Sequence, residues 1–90
     1  MFATIQRLIE EEMSLDVPAA QLTPSADLYA LGMTSFDAAR LMVAIERAFK
    51  VDFPPDAMRR ETMASIVAIA LAVLSLWQAE MDRPDSRKAA

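Results

Sequence analysis

The stretch Leu31-Gly32-Met33-Thr34-Ser35-Phe36 decides how this chain folds. It holds the only glycine in the sequence, and apolar residues at helical spacing begin directly behind it. Thr34-Ser35-Phe36-Asp37 has the form of a capping box, with Thr34 as N-cap and Asp37 reaching back to the cap's amide. A helix is therefore predicted to start at Ser35. A serine at that point is exposed by geometry, because the first helical turn has N–H groups to spare and few neighbours. The chain has no histidine and no cysteine, so the serine has no local base to make it a nucleophile. It reads as a place where something is attached.

Behind Ser35, the residues Ala38, Leu41, Met42, Ile45 and Phe49 form one apolar stripe, ended by Pro54-Pro55. Ahead of Gly32, the residues Asp16, Pro18, Pro24, Ser25 and Asp27 break regular structure. A connection of that length is uncommon in a compact bundle and needs anchors. Leu22, Leu28, Tyr29 and Leu31 are placed to supply them. The first segment has Phe2, Ile5, Leu8, Ile9 and Met13 at helical spacing, which predicts a helix from about Phe2 to Ser14. Glu10-Glu11-Glu12 reads as its solvated face. Asp56 is expected to cap one short turn through Arg60, and Thr62 to cap the last helix.

That last helix carries no charged residue from Thr62 to Ala79, close to the ~18 apolar residues that raise the question of a membrane span. Five of these residues are alanine, and Thr62, Ser65, Ser75 and Gln78 interrupt the run. No membrane span is expected. Leu71, Leu74, Leu76 and Trp77 are spread too widely to face one core, so some are expected to point outward, toward a partner or a second copy. The expected fold is all-α: a small antiparallel bundle of three main helices plus one short helix, with a long loop between the first and second. Residues 1–80 form the folded domain, and 81–90 read as a disordered polar tail.

Composition narrows the function. The chain has 90 residues, 54% of them hydrophobic, and a formal net charge of −4. That balance argues against a nucleic-acid partner, since no basic stripe offsets phosphate charge. General-base catalysis would rest on carboxylates or lysine alone, and one glycine excludes the P-loop and the dinucleotide fingerprint. Turn and cap roles account for Asp52 and Asp56 without a metal. The absence of cysteine fits a reducing compartment, and the amphipathic N-terminus lacks a secretory signal's apolar run, so a cytoplasmic protein is expected. These observations point away from an enzyme.

The ordered set Asp27-Leu28-Tyr29-Ala30-Leu31-Gly32, Ser35, Leu41, Ile45-Glu46, Phe49 and Val51-Asp52-Phe53-Pro54 resembles the acyl carrier protein superfamily. A Thr-x-x-Ser-Ile entry to the last helix completes the likeness, which covers roughly Ile5 to Val73. The resemblance implies a 4′-phosphopantetheine on Ser35, added by a separate phosphopantetheinyl transferase, with the thiol that this sequence lacks supplied by the prosthetic group. It further implies loading by an amino acid or acyl ligase and delivery to a downstream transferase. The family usually has Asp before the serine and Leu or Ile after it, where this chain has Thr34 and Phe36. Its second helix is also less acidic, with Arg40, Arg47 and Lys50 beside Asp37 and Glu46.

The variant Gly-x-[Ser/Thr]-Ser-Phe is similar to that of a subgroup of small bacterial aminoacyl carrier proteins, loaded by stand-alone ligases resembling seryl-tRNA synthetases. The segments Phe53-Pro54 and Arg60-Glu61-Thr62-Met63-Ala64-Ser65-Ile66 resemble the same subgroup. Two alternatives stay open: an acyl carrier of fatty-acid or polyketide type, and a helical interaction module without the prosthetic group. Helical arithmetic places Phe36, Ala39, Arg40, Val43 and Arg47 along one outward strip, which is expected, with the flanking Met33 and Thr34, to meet partner enzymes.

Overall fold

The computed structural model describes residues 1–13 and 19–82. Three helices carry the fold: α1 (Phe2–Glu12), α2 (Ser35–Phe49) and α3 (Ile66–Met81). There is no strand among the described residues. Short 3₁₀ turns lie at Ala19–Gln21 in the first loop, and at Pro55–Ala57 and Arg60–Met63 between α2 and α3. The expected all-α bundle is found, with α1 packed against both other helices.

Each helix gives its apolar stripe to one core. Ile5 and Ile9 of α1, Leu41 and Ile45 of α2, and Ile66, Ile69 and Val73 of α3 are fully buried. The loop anchors behave as their residue types require: Leu22 and Leu28 are buried, and Tyr29 and Leu31 pack against the core. Two backbone bonds then fasten the loop to the start of α3. The Leu28 N–H donates to the Ala64 carbonyl at 2.7 Å, and the Val67 N–H donates to the Pro24 carbonyl at 3.0 Å. Buried or half-buried backbone groups in a loop need such partners.

α1 stops at Glu12 rather than running to Ser14. Met13 is extended (φ −108°, ψ 141°), its N–H bonds back to the Ile9 carbonyl, and its side chain enters the core. Ser14, the loop breakers Asp16 and Pro18, and the expected tail from 83 onward lie outside the described residues; the helix itself runs to Met81.

α2 ends at Lys50, which takes the left-handed conformation (φ 56°, ψ 51°). Both the Lys50 and Val51 N–H groups then reach the Glu46 carbonyl, satisfying carbonyl capacity that helix ends leave open. The Glu46 carboxylate goes further and accepts the Phe53 N–H at 2.8 Å. The chain is thereby turned toward Pro54.

Two expectations for the segment after α2 are corrected. In place of one turn capped by Asp56, there are two 3₁₀ turns, and Asp56 sits inside the first without a side-chain cap bond. Pro55 at the first position has no N–H to be capped, and the Pro54 carbonyl opens the turn. Thr62 does not cap α3 either. It lies within the Arg60–Met63 turn, and Ser65 is the cap, its Oγ accepting the Ala68 N–H at 3.1 Å.

α3 buries Ile66, Ile69, Ala70 and Val73 and leaves Leu71 and Leu74 facing out. Its far end is held to α2 by Trp77, whose Nε1–H donates to the Phe49 carbonyl at 3.1 Å. The two rings meet edge to face, with centroids 5.9 Å apart. No helix among the described residues is long and apolar enough to cross a membrane.

Candidate functional site

The approach to Ser35 is built by hydrogen bonds to short-range partners. Asp27 Oδ1 accepts the Tyr29 and Ala30 N–H groups, at 3.0 and 3.3 Å. The next N–H groups, of Leu31 and Gly32, fold back onto Asp27, Leu28 and Tyr29 carbonyls. Gly32 then takes φ 113°, a region that residues bearing a Cβ avoid. That reversal lets the Met33 N–H donate to the Leu28 carbonyl at 3.0 Å and drives the Met33 side chain inward.

Thr34 resumes an extended backbone, and both halves of the capping box form. Its Oγ1 accepts the Asp37 N–H at 3.0 Å, while Asp37 Oδ2 accepts the Thr34 N–H at 3.1 Å. Ser35 is the first residue of α2, between a buried Met33 and a buried Ala38. Its own side chain is exposed, and its hydroxyl forms no hydrogen bond among the described residues.

One expected docking residue is corrected here. Met33 is only 4% exposed, because the turn before it points its side chain into the core, so it offers nothing to a partner. The other six are on the surface: Thr34, Phe36, Ala39, Arg40, Val43 and Arg47. Phe36 is 70% exposed, a large value for an aromatic side chain. The Arg40 guanidinium lies 5.8 Å from the Phe36 ring centroid. Its Nη2 is also 3.8 Å from Glu12 Oε1, so Glu12 reaches across from α1 to steady Arg40 as well as facing solvent.

On the other side of Ser35 the surface is concave. A cleft of about 320 Å³ is lined by Ser35 itself, by Ala38, Ala39 and Met42 of α2, by Tyr29, and by Met58, Arg59, Arg60 and Met63. Arg60 is stacked on Tyr29, its guanidinium carbon 4.0 Å from the ring centroid. Sequence reasoning gives Tyr29 only an anchoring role and assigns none to Met58 or Arg59. The one available signal is the adjacent pair Arg59-Arg60 in a segment where no apolar pattern requires them.

Chemically, the site offers a hydroxyl with free access and no acid or base bonded to it. A group joined to Ser35 Oγ fits without displacing any core residue, because the oxygen already faces open space. Among the described residues no group of three or more side chains is arranged to hold a metal ion.

Comparison with known proteins agrees with this reading. The profile of the family described as "phosphopantetheine attachment site" matches residues 3–73. An aminoacyl carrier protein of Agrobacterium fabrum is 41% identical over 69 residues, covering 77% of this chain and 83% of the relative. An acyl carrier protein of Helicobacter pylori is 37% identical over 57 residues, covering 62% of this chain and 70% of the relative. Among solved structures, an Agrobacterium tumefaciens carrier protein aligns with a TM-score of 0.78 at 39% identity, covering 82% of this chain and 99% of its own. That carrier was crystallised in complex with an engineered Bradyrhizobium japonicum glycine:[carrier protein] ligase and AMP. An exposed serine at the head of α2 and a family match over most of the chain's length place the chain in the phosphopantetheine-attachment family of carrier proteins.

Proposed function

We propose that this chain carries an amino acid on a 4′-phosphopantetheine arm joined to Ser35, and that a dedicated amino acid:carrier protein ligase loads it in trans. The observation that carries this reading is Ser35: the first residue of α2, exposed, and with a hydroxyl that forms no hydrogen bond among the described residues. Of the other serines described, Ser65 caps α3, while Ser25 lies in a turn and Ser75 within α3, so neither of these two opens a helix. When bound, the arm supplies the thiol that holds the cargo as an activated thioester.

The chain's own residues do three things in this scheme. The Gly32 turn and the Thr34–Asp37 box fix where Ser35 Oγ points. Exposure of the serine admits the phosphopantetheinyl transferase and then the loading enzyme. Phe36, Ala39, Arg40, Val43 and Arg47 form the strip against which those enzymes dock, an apolar and cationic face suited to a partner with an apolar pocket and acidic rim. Thr34 stands at its edge. The likeness to an aminoacyl carrier protein, and to a carrier seen with a glycine ligase, supports an amino acid as cargo. The chain then acts as a carrier without chemistry of its own, in the cytoplasm, and passes its cargo to a downstream transferase.

The test is direct. Incubation with coenzyme A and a broad-specificity phosphopantetheinyl transferase is expected to add one prosthetic group by intact mass. Incubation of that product with ATP, an amino acid ligase and glycine or alanine is expected to add one aminoacyl group. Loading by a fatty-acyl ligase and refusal of every amino acid would move the assignment to an acyl carrier.

A further inference from the structure

We propose that α3 pairs with α3 of a second copy of this chain, through the face it turns away from its own bundle. The inference goes beyond the carrier role and does not depend on what Ser35 holds. α3 runs from Ile66 to Met81 and buries Ile66, Ile69, Ala70 and Val73. A helix with one buried stripe normally turns charged residues outward. This one has none before Glu80, and the uncharged run begins at Thr62. On its outer face Leu71 is 61% exposed and Leu74 47% exposed. Large apolar side chains gathered on one face mark a contact with another surface.

The shape of that face selects a second copy as its occupant. At helical spacing Leu71 and Leu74 form a ridge, and Ala68 and Ala72 form a lower row beside it. The lower row borders an open groove of about 540 Å³, which α3 lines with Ala68, Ala72 and Leu76 and the segment after α2 lines with Phe53 and Pro54. Ridge and groove therefore lie side by side on one surface. Under a twofold axis the ridge of each copy enters the groove of the other, so every contact is made twice. Charge agrees with this arrangement. The ridge and its row are neutral, so two copies bring no like charges together along the helix, and a charged partner finds no counter-charge there. Asp56, Arg59 and Glu61 stand on the groove's other wall, outside α3. Two helices of 16 residues, each about 24 Å long, with their grooves remove roughly 1,000 Å² from water, the lower limit for a specific interface. The pair is therefore reversible. Neither Ser35 nor any residue of the outer strip lines the groove, so both serines stay open in the pair.

The experiment is sedimentation equilibrium of the unmodified full chain from about 10 µM to about 1 mM. The average mass is expected to rise from that of one chain toward that of two, with a Kd on the order of 100 µM. The Leu71→Glu/Leu74→Glu double variant is expected to weaken pairing at least tenfold, since it sets carboxylates into an apolar contact. Ser75→Lys is expected to do the same while leaving the ridge intact, because Ser75 is exposed and lines the groove. All three positions are exposed, so the variants keep their fold, which circular dichroism checks. About 0.5 M salt is expected to tighten the pair by screening the net charge of −4 on each copy. A single mass at every concentration, or full-strength pairing in either variant, would overturn the proposal. So would a pair that salt loosens, since ion pairs rather than the α3 face would then hold it.

Discussion

The two sides of Ser35 are built in different ways. The outer side belongs to a single helix: Phe36, Ala39, Arg40, Val43 and Arg47 follow one another along α2 and stand proud of it. The inner side is assembled from the loop before α2, from α2 itself and from the 3₁₀ segment near Arg60, so that Tyr29 and Arg60 meet across 31 positions of sequence. The convex side suits contact with another protein, whereas the concave side suits contact with something small and flexible. Ser35 and Ala39 belong to both.

The most severe way to break the comparison is to remove the serine that the flanks share. Ser35→Ala is expected to abolish modification completely by intact mass. Thermal unfolding is expected to move by no more than about 0.5 kcal/mol, because the side chain is exposed and unbonded. Next in size is Phe36→Ala, which strips the outer flank alone. Loading of the modified chain by the ligase is expected to fall roughly tenfold or more in kcat/KM, in the manner of an aromatic anchor at an interface. Circular dichroism is expected to stay unchanged. An undiminished kcat/KM would show that partners grip elsewhere.

Thr34→Ala loosens the point from which both flanks diverge. Losing the cap is expected to cost about 1 kcal/mol, read as a fall of roughly 4–8 °C in Tm for a domain this size. The smallest effect concerns the link between α1 and the outer flank. A double-mutant cycle of Glu12→Ala and Arg40→Ala is expected to give a coupling of about 0.2–1 kcal/mol at low salt, vanishing at high salt. A larger coupling would mean that Arg40 is fixed more firmly than a surface pair at 3.8 Å implies.

How far each flank could be read in advance follows from its construction. The outer strip and the Thr34–Asp37 box are set within a few residues, where helical spacing and cap chemistry apply. Met33 shows the limit of that reading. Position beside the serine suggests the surface, but a backbone bond to Leu28 turns the side chain into the core. The start of α3 shows the same limit, since Thr62 and Ser65 are equally able caps by type. The choice falls to Ser65 because the chain between them is taken up by a 3₁₀ turn whose neighbour, Ala64, accepts the Leu28 N–H from the first loop. The cleft was hidden for a stronger version of that reason. No local pattern brings Arg60 to Tyr29; only the packed fold does.

The bond from Trp77 to the Phe49 carbonyl has a practical consequence. Trp77 is the only indole in the chain, and it rests where the last turn of α2 meets α3, outside both the outer strip and the cleft. Emission from this residue therefore reports whether the end of α2 is clasped to α3, without a dye and without touching the serine. If an enzyme pries the helices apart to reach the cargo, the shift in emission wavelength will record the opening in real time. If the bundle stays shut through the whole cycle, the emission will hold steady while the arm alone does the travelling.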